Sequence, residues 1–235
     1  MPPFQAYCTV QIHCSIIYYR RYQMNPKQIF YETQAKTIIK NLERRRMKGY
    51  YCQGKEDALK TAMSLTAADS TVSFGGSMTL AETGILDALR KRTDIRLIDR
   101  SLAKTPEEIK QAYRDSFSAD TYFMSTNAIT LDGQLVNVDG NGNRAAALIY
   151  GPDQVIIIAG MNKAVSDTDD ALRRIPNIAS PPNCIRLNKN TPCAASGVCG
   201  ECMGDDCICS QTVITRRSGI AGRIKVILVG EELGY

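Results

Sequence analysis

Histidine is nearly missing from this chain. Its 235 residues contain a single histidine, His13, close to the start of the sequence. Catalytic units of the Ser-His-Asp or Cys-His type need an imidazole, and so do metal sites with histidine ligands. Unless His13 folds back, residues 24–235 can form neither kind of site. Acid–base chemistry there would fall to carboxylates, lysine, tyrosine or bound water.

Long apolar runs and a strong charge of one sign are also missing. No apolar run approaches the about 20 residues needed to span a bilayer, so we expect no membrane association. The net charge of +5 is mild and spread along the chain. The densest basic run, residues 44–46 with Lys48, lies on a predicted helix, where a solvated face explains it better than a nucleic-acid site. We therefore expect no nucleic-acid partner, and the lack of a targeting signal favours a cytoplasmic protein.

The first 23 residues differ from the rest. They contain the histidine and two cysteines but no Asp or Glu. Their apolar stretch, residues 16–19, precedes a basic pair, which is the reverse of the order in a secretory signal. Asn25 and Pro26 then supply a helix N-cap and a first-turn proline. We expect one domain over residues 24–235, and residues 1–23 to be a poorly ordered extension or a misassigned start.

Strand-like and helical segments alternate along the chain. A strand at 71–74 is followed by a helix over 79–90 and a strand at 95–98. A capping box and a first-turn proline at 105–108 predict the next helix, and 121–124 is again strand-like. This alternation predicts an α/β fold with a mainly parallel sheet flanked by helices. The other predicted elements, in chain order, are a helix over 26–48 that stops at Gly49, a strand at 50–52, a helix over 56–65, a hairpin insertion over 129–136 around Asp132-Gly133, a helix over 145–149, a buried strand at 154–159, a helix ending near Pro176, and strands at 212–216 and 223–229.

A glycine turn joins the strand at 71–74 to the following helix. It consists of Gly75, Gly76 and Ser77. Glycine lets the backbone approach a ligand, and the start of a helix offers unpaired N–H groups to an anion. Open α/β sheets bind ligands at such crevices, but a tight structural turn would have the same sequence. The turn alone leaves a small anionic ligand and a purely structural role equally open.

A second candidate is a polar loop that ends in arginine. Asn, Asp and Gly are common wherever a chain merely turns, which explains Asp132-Gly133 fully. The same explanation covers the segment D-G-N-G-N-R less well. Asp139 would act there as a base or hydrogen-bond acceptor, and Arg144 would pair with a carboxylate or phosphate. The amides that we assign to ligand binding in and near this loop are Asn127, Asn137, Asn141 and Asn143.

A third candidate is a cysteine-rich segment at residues 191–210. Five of the nine cysteines lie within it: Cys193, Cys199, Cys202, Cys207 and Cys209. Disulfides are not expected in the cytosol. Zinc is compatible with the C-x₂-C pair, and an iron–sulfur cluster with all-thiolate ligation. The overall spacing matches neither a standard zinc ribbon nor a ferredoxin run, so free thiols stay a third possibility.

Together these segments resemble the lactate-utilisation (LUD) domain family, the group of lactate utilisation protein C. The matching stretches are F-G-G-S-M-T-L-A-E-T-G (74–84), the polar segment 125–144, A-G-M-N-K (159–163), T-P-C (191–193), C-G-E-C (199–202) and the ending I-L-V-G-E-E-L-G-Y. The resemblance implies a fold like that of the NagB/RpiA/CoA-transferase superfamily, whose members bind phosphorylated or CoA-type ligands at a glycine-rich turn. That points to Gly75, Gly76 and Ser77.

The resemblance also implies a role in oxidising L-lactate to pyruvate with two iron–sulfur partner proteins. In the family pattern the metal ligands would be Cys193, Cys199, Cys202 and Cys209, with Cys207 outside the set. The carboxylate that sugar isomerases of the superfamily use is not identifiable here, since none follows Asn127 before Asp132.

Three hypotheses follow. The first is a subunit of a lactate-oxidising system whose cysteines hold an iron–sulfur cluster or another metal. The second is a separate CoA-transferase-like or isomerase-like ligand-binding enzyme with a structural zinc. The third is a non-catalytic assembly factor whose cysteines only stabilise the protein.

Overall fold

A parallel sheet forms the centre of the molecule. The computed structural model describes residues 25–235, so residues 1–23, predicted to be an extension, lie outside the described part. The strands are β1 Lys48–Cys52, β2 Thr71–Phe74, β3 Arg96–Ile98, β4 Thr121–Met124, β5 Ala128–Thr130, β6 Leu135–Asp139, β7 Gln154–Gly160, β8 Ala164–Val165, β9 Gln211–Thr215 and β10 Ile224–Val229. Six of them form one sheet in the order β1-β10-β7-β4-β2-β3. Every neighbouring pair in that sheet is parallel.

Helices cover both faces of this sheet. They are α1 Pro26–Arg44, α2 Lys55–Ser64, α3 Met78–Glu82, α4 Ile85–Lys91, α5 Pro106–Asp115, α6 Asn143–Ile149, α7 Thr168–Arg174, α8 Ser180–Arg186 and α9 Pro192–Ser196. Alternate residues of β7 point to opposite faces, as in any strand. Ile157 packs in the core shared with α1 and α6, and Ile156 in the core shared with α2, α3 and α4. Because both faces of β7 are buried, its apolar run is continuous. The predicted α/β class with a mainly parallel sheet is confirmed.

Two helix starts follow from local capping. The Asn25 side chain accepts a hydrogen bond from the Gln28 N–H, and the Gln28 side chain accepts one from the Asn25 N–H. Thr105 and Glu108 form the same reciprocal pair at the start of α5. Both predicted starts are therefore confirmed.

Two predicted helix ends are wrong, and a third predicted helix is split in two. Helix α1 ends at Arg44 rather than Lys48, because Arg46 adopts a left-handed conformation (φ 61°) and the chain then enters β1. The helix expected over 79–90 is two helices, α3 and α4, interrupted at Gly84, whose φ is 71°. The helix expected to end near Pro176 instead continues through a π-turn, Ile175–Ala179, into α8. Pro176 has no N–H to continue the α-helical hydrogen bonds, and the chain switches to the wider π-turn at this position.

The predicted hairpin is confirmed and belongs to a second, four-stranded sheet. Strands β5 and β6 pair antiparallel around Asp132-Gly133. They are extended by β8 and β9 in the order β8-β5-β6-β9, which the sequence had not indicated. This sheet holds the polar loop, since β6 ends at Asp139 and pairs with β9 at the end of the cysteine-rich segment.

Candidate functional site at the carboxyl edge of the sheet

A cavity of about 370 Å³ opens at the carboxyl ends of the parallel strands. Gly76 and Ser77 follow β2, Arg100 follows β3, Ser125 follows β4, and Lys163 follows β7. Parallel strands end at the same edge of a sheet, which is why residues far apart in sequence meet here. Of the residues predicted to bind a ligand, the cavity is lined by Gly76, Ser77, Asn127, Asp139, Asn141, Asn143 and Arg144. Gly75 and Asn137 stand directly behind this lining.

The glycine turn makes room for an arginine. A Cβ atom on Gly76 would collide with Nη2 of Arg100. A Cβ atom on Gly75 would lie 3.1 Å from the Tyr122 hydroxyl oxygen and 3.6 Å from Cδ of Arg144. Ser77 caps α3 by accepting a hydrogen bond from the Leu80 N–H at 3.4 Å. Since α3 has only five residues, the charge of Arg100 outweighs that of the helix terminus at this turn.

Arg144 is the centre of the polar loop. Its Nε donates to Asp139 Oδ1 at 2.8 Å, Nη1 donates to Asn137 Oδ1 at 2.6 Å, and Nη2 donates to Asn127 Oδ1 at 2.8 Å. The carbonyl oxygens of Ser125 and Val138 accept the remaining N–H groups at 2.9 Å. A guanidinium has five N–H groups, so none is left for a ligand.

Both carboxylate oxygens of Asp139 also accept hydrogen bonds from within the protein. While Oδ1 pairs with Arg144, Oδ2 accepts a hydrogen bond from the Ala145 N–H in the first turn of α6 at 2.7 Å. The side chain is only 9% exposed. These contacts favour a positioning role for Asp139 and Arg144 over the direct roles of base and ligand partner that the sequence suggested. Both residues nevertheless border the cavity.

Lys163 is a cavity residue that the sequence reasoning did not single out. It ends the 3₁₀ turn Met161–Lys163 that follows β7, and it is 3% exposed. Its Nζ donates to Thr79 Oγ1 and Ser125 Oγ, each at 2.9 Å. Burial lowers the pKa of Lys163 to about 7, assisted by the positive charges of Arg174 and Arg144. The motif A-G-M-N-K after a buried strand was the available signal.

Arg100 was also missed. Its Nη1 donates to the Tyr113 hydroxyl, and its guanidinium lies 5.3 Å from the centre of that ring. Across residues 25–235, no carboxylate forms an ion pair with Arg100, Lys163 or Arg186. Five basic and two acidic side chains line the described cavity. Basic side chains therefore outnumber acidic ones in the lining, and Arg100 and Arg186 have no counter-ion among the described residues.

The cysteine-rich segment forms one wall of the same cavity. Cys207 and Ile208 line it, and the Ser210 N–H donates to the Asp139 carbonyl oxygen at 2.9 Å. A Cβ atom on Gly140 would lie 3.2 Å from Cα of Ile208, so the loop and the segment are in contact. The sequence had given no sign that these two candidate sites adjoin.

The thiols of this segment lie near one another without forming a coordination group. Hydrogen bonding with the Cys207 thiol raises the pKa of Cys202, and burial raises that of Cys209. Buried Cys184 of α8 approaches Cys193, and burial raises its pKa to about 11. Within the part of the chain that the structure describes, no three His, Cys, Asp or Glu side chains are arranged to hold a metal ion. A set of thiols is chemically suited to zinc or to an iron–sulfur cluster. In the described residues, however, the thiols are not arranged around a common metal position.

The fold and site together define an α/β domain with a basic cavity at the carboxyl edge of a parallel sheet. The sequence model of the LUD domain matches residues 35–229, and the chain belongs to that family. None of the curated proteins compared with this chain matches it. No helix within residues 25–235 has the length and apolar character needed to cross a membrane.

Solved structures similar to the chain include the following three. A DUF162 family protein from Deinococcus radiodurans aligns with a TM-score of 0.47 and 12% identity over 86% of this chain and 98% of that one. The eIF2B delta protein of Chaetomium thermophilum aligns with a TM-score of 0.35 and 16% identity over 51% of each chain. Its eIF2B beta protein gives a TM-score of 0.35 and 16% identity over 50% of this chain and 45% of that one.

Proposed function

We propose that this protein binds L-lactate and pyruvate in the cavity, as a component of a cytoplasmic system that oxidises the first to the second. The observation that supports the proposal is a pair of arginines, Arg100 and Arg186, which line the cavity beside the buried amine of Lys163 and form no ion pair within residues 25–235. A short carboxylate is small enough for a cavity of about 370 Å³. The family supplies the expectation of lactate as the substrate class.

Each cavity residue has a role in this proposal. Arg100 would take the carboxylate, because its Nη2 overhangs Gly76 and has no protein carboxylate to pair with. The hydroxyl group on C2 of lactate would then face Lys163, whose neutral amine can accept a proton. Asp139 and Arg144 would hold the loop in place around the ligand.

Lactate oxidation releases two electrons and two protons, so the proposal needs an electron acceptor. Its class is the iron–sulfur group, and two one-electron centres are needed, carried by partner proteins alone or by partner proteins together with the cysteine-rich segment. Cys193, Cys199, Cys202 and Cys209 would be the ligands in that segment, which would close around the metal on binding it. Such a centre would supply one-electron transfer at the wall of the cavity.

Calorimetric titration with L-lactate and with pyruvate tests the ligand. The wild-type protein should bind at least one of them, and Arg100→Met should weaken binding by about 10- to 100-fold, as expected for a charge-assisted hydrogen bond. Arg114→Met is the matched control, since Arg114 is an exposed residue on α5. Equal affinity in wild type and Arg100→Met, or no binding of either acid, would contradict the proposal.

Anaerobic purification with a visible spectrum and metal analysis tests the electron-transfer part. Broad visible absorption with stoichiometric iron supports it. A colourless protein containing zinc would overturn it and favour the alternative of a ligand-binding enzyme or assembly factor with a structural zinc.

A further inference from the structure

Lys163 occupies an unusual position for a lysine. Lysine side chains are almost never fully buried unless they are paired with an acid. Lys163 is 3% exposed, lies in the wall of the cavity, and is held by the short turn after β7. Its amine therefore has a fixed position in the cavity wall, whereas most lysine amines are mobile and exposed to water.

The partners of the amine do not stabilise a positive charge. Nζ contacts two neutral hydroxyl oxygens, those of Thr79 and Ser125. Of the charged groups that influence it, Arg174 and Arg144 oppose protonation and only Glu82 favours it. The Glu82 carboxylate accepts a hydrogen bond from the Gly234 N–H at 2.7 Å. Burial, together with the charges of Arg174 and Arg144, lowers the pKa of Lys163 to about 7, so a large share of the amine is neutral at physiological pH.

A neutral amine beside other cations is the arrangement by which proteins make lysine a nucleophile. We propose that Lys163 condenses with the carbonyl carbon of a 2-oxo acid in the cavity to form an imine. The choice of a 2-oxo acid rests on the proposed function, in which pyruvate is the product. The ligand carboxylate would be held by Arg100, as proposed for lactate.

The reaction balances without an oxidant or reductant. The lone pair on Nζ forms a bond to C2, and the carbonyl oxygen gains a proton to give a carbinolamine. That oxygen then leaves as water, which carries away the two hydrogens that the amine loses, and a C=N bond remains. Thr79 Oγ1 and Ser125 Oγ lie 3.4 Å apart and each 2.9 Å from Nζ, so they are placed to pass these protons.

Borohydride trapping with pyruvate on the full-length protein tests the imine. Reduction should add one group per chain, with the mass of pyruvic acid less one oxygen atom. Trypsin does not cleave after an alkylated lysine, so the label should appear on a peptide spanning 145–173, bounded by cleavage after Arg144 and Arg173. Labelling should increase as the pH rises through about 7, where Lys163 loses its proton.

Two variants and a control locate the reaction. Lys163→Arg and Lys163→Met should abolish the label, while exposed Lys60→Arg should keep it. Circular dichroism and thermal unfolding establish that each variant is folded. If either folded Lys163 variant is labelled as strongly as wild type, or if labelling is spread over surface lysines, the inference is wrong.

Parallel titrations separate this inference from the proposed function. Pyruvate that binds by calorimetry but gives no reduced adduct overturns the imine and leaves the ligand assignment standing. An adduct of glyoxylate at Lys163, without binding of lactate or pyruvate, keeps the imine site and overturns the lactate assignment. Absence of both binding and adduct overturns both.

Discussion

Nη2 of Arg144 lies 2.7 Å from Oδ1 of Asp139, and this ion pair joins the end of β6 to the start of α6. The pair is mostly shielded from water, with the two side chains 15% and 9% exposed. The same guanidinium also donates hydrogen bonds to the side-chain oxygens of Asn127 and Asn137. The polar loop therefore has one organising residue, and its removal should affect stability as well as binding.

Arg144→Met should lower the free energy of unfolding by about 3–5 kcal/mol, because it leaves a buried carboxylate and several buried acceptors unpaired. Urea unfolding measures this. Arg173→Met is the matched control, since Arg173 forms an exposed pair with Asp170 one turn away on the same helix. That exposed pair should contribute no more than about 1 kcal/mol. Equal losses in the two variants would refute the organising role of Arg144.

Gly76→Ala should weaken the binding of lactate or pyruvate while changing stability little. The added methyl group would collide with Nη2 of Arg100, and this flexible side chain would have to shift from its present position. We expect a loss of about tenfold or more, approaching that of Arg100→Met. Gly219→Ala is the control, because nothing lies within 4 Å of a Cβ atom there. Unchanged affinity in Gly76→Ala would show that Arg100 does not hold the ligand.

The burial of Lys163 should appear in the pH dependence of stability. Its pKa is about 7 in the folded protein, against an ordinary value of 10.5. Between these values the unfolded chain binds more protons than the folded protein, so the free energy of unfolding rises with pH. Relative to Lys163→Met, wild type should gain about 2 kcal/mol between pH 7 and pH 9. Urea unfolding of both proteins at the two pH values checks this, and a constant difference would contradict it.

Cys193→Ser should remove bound iron or zinc from protein purified without oxygen, if the cysteine-rich segment holds a metal as proposed. Cys52→Ser is the control and should retain the metal, because Cys52 lies at the end of β1 and its thiol contacts Thr61. Metal analysis of both variants decides the matter. Equal metal content in the two would exclude Cys193 as a ligand.

Much of the fold could be predicted because its signals are local. The caps at Asn25 and Thr105 each depend on residues three positions away, and the apolar run of β7 marks a strand buried on both faces. The split at Gly84 was missed, since a glycine inside a helical pattern does not by itself reveal a positive φ. The second sheet was missed because β8 has only two residues.

The candidate site was only partly predictable, because only some of its features are local in the sequence. The polar loop and the glycine turn are visible as local clusters of residues, and both border the cavity. Arg100 and Lys163 are single basic residues after ordinary strands, and their importance comes from their place in the cavity lining, from the missing counter-ion of Arg100 among the described residues and from the burial of Lys163. Those properties exist only once distant strand ends have been brought to one edge.

The contact between Gly140 and Ile208 places the polar loop directly against the cysteine-rich segment. The cysteine-rich segment also fixes the polar loop through the hydrogen bond from Ser210 to Asp139. Suppose that a metal bound to the thiols changes the affinity of the cavity for a carboxylate by some factor. The carboxylate must then change the affinity of the thiols for the metal by the same factor. A titration carried out from either side would therefore yield the same coupling free energy.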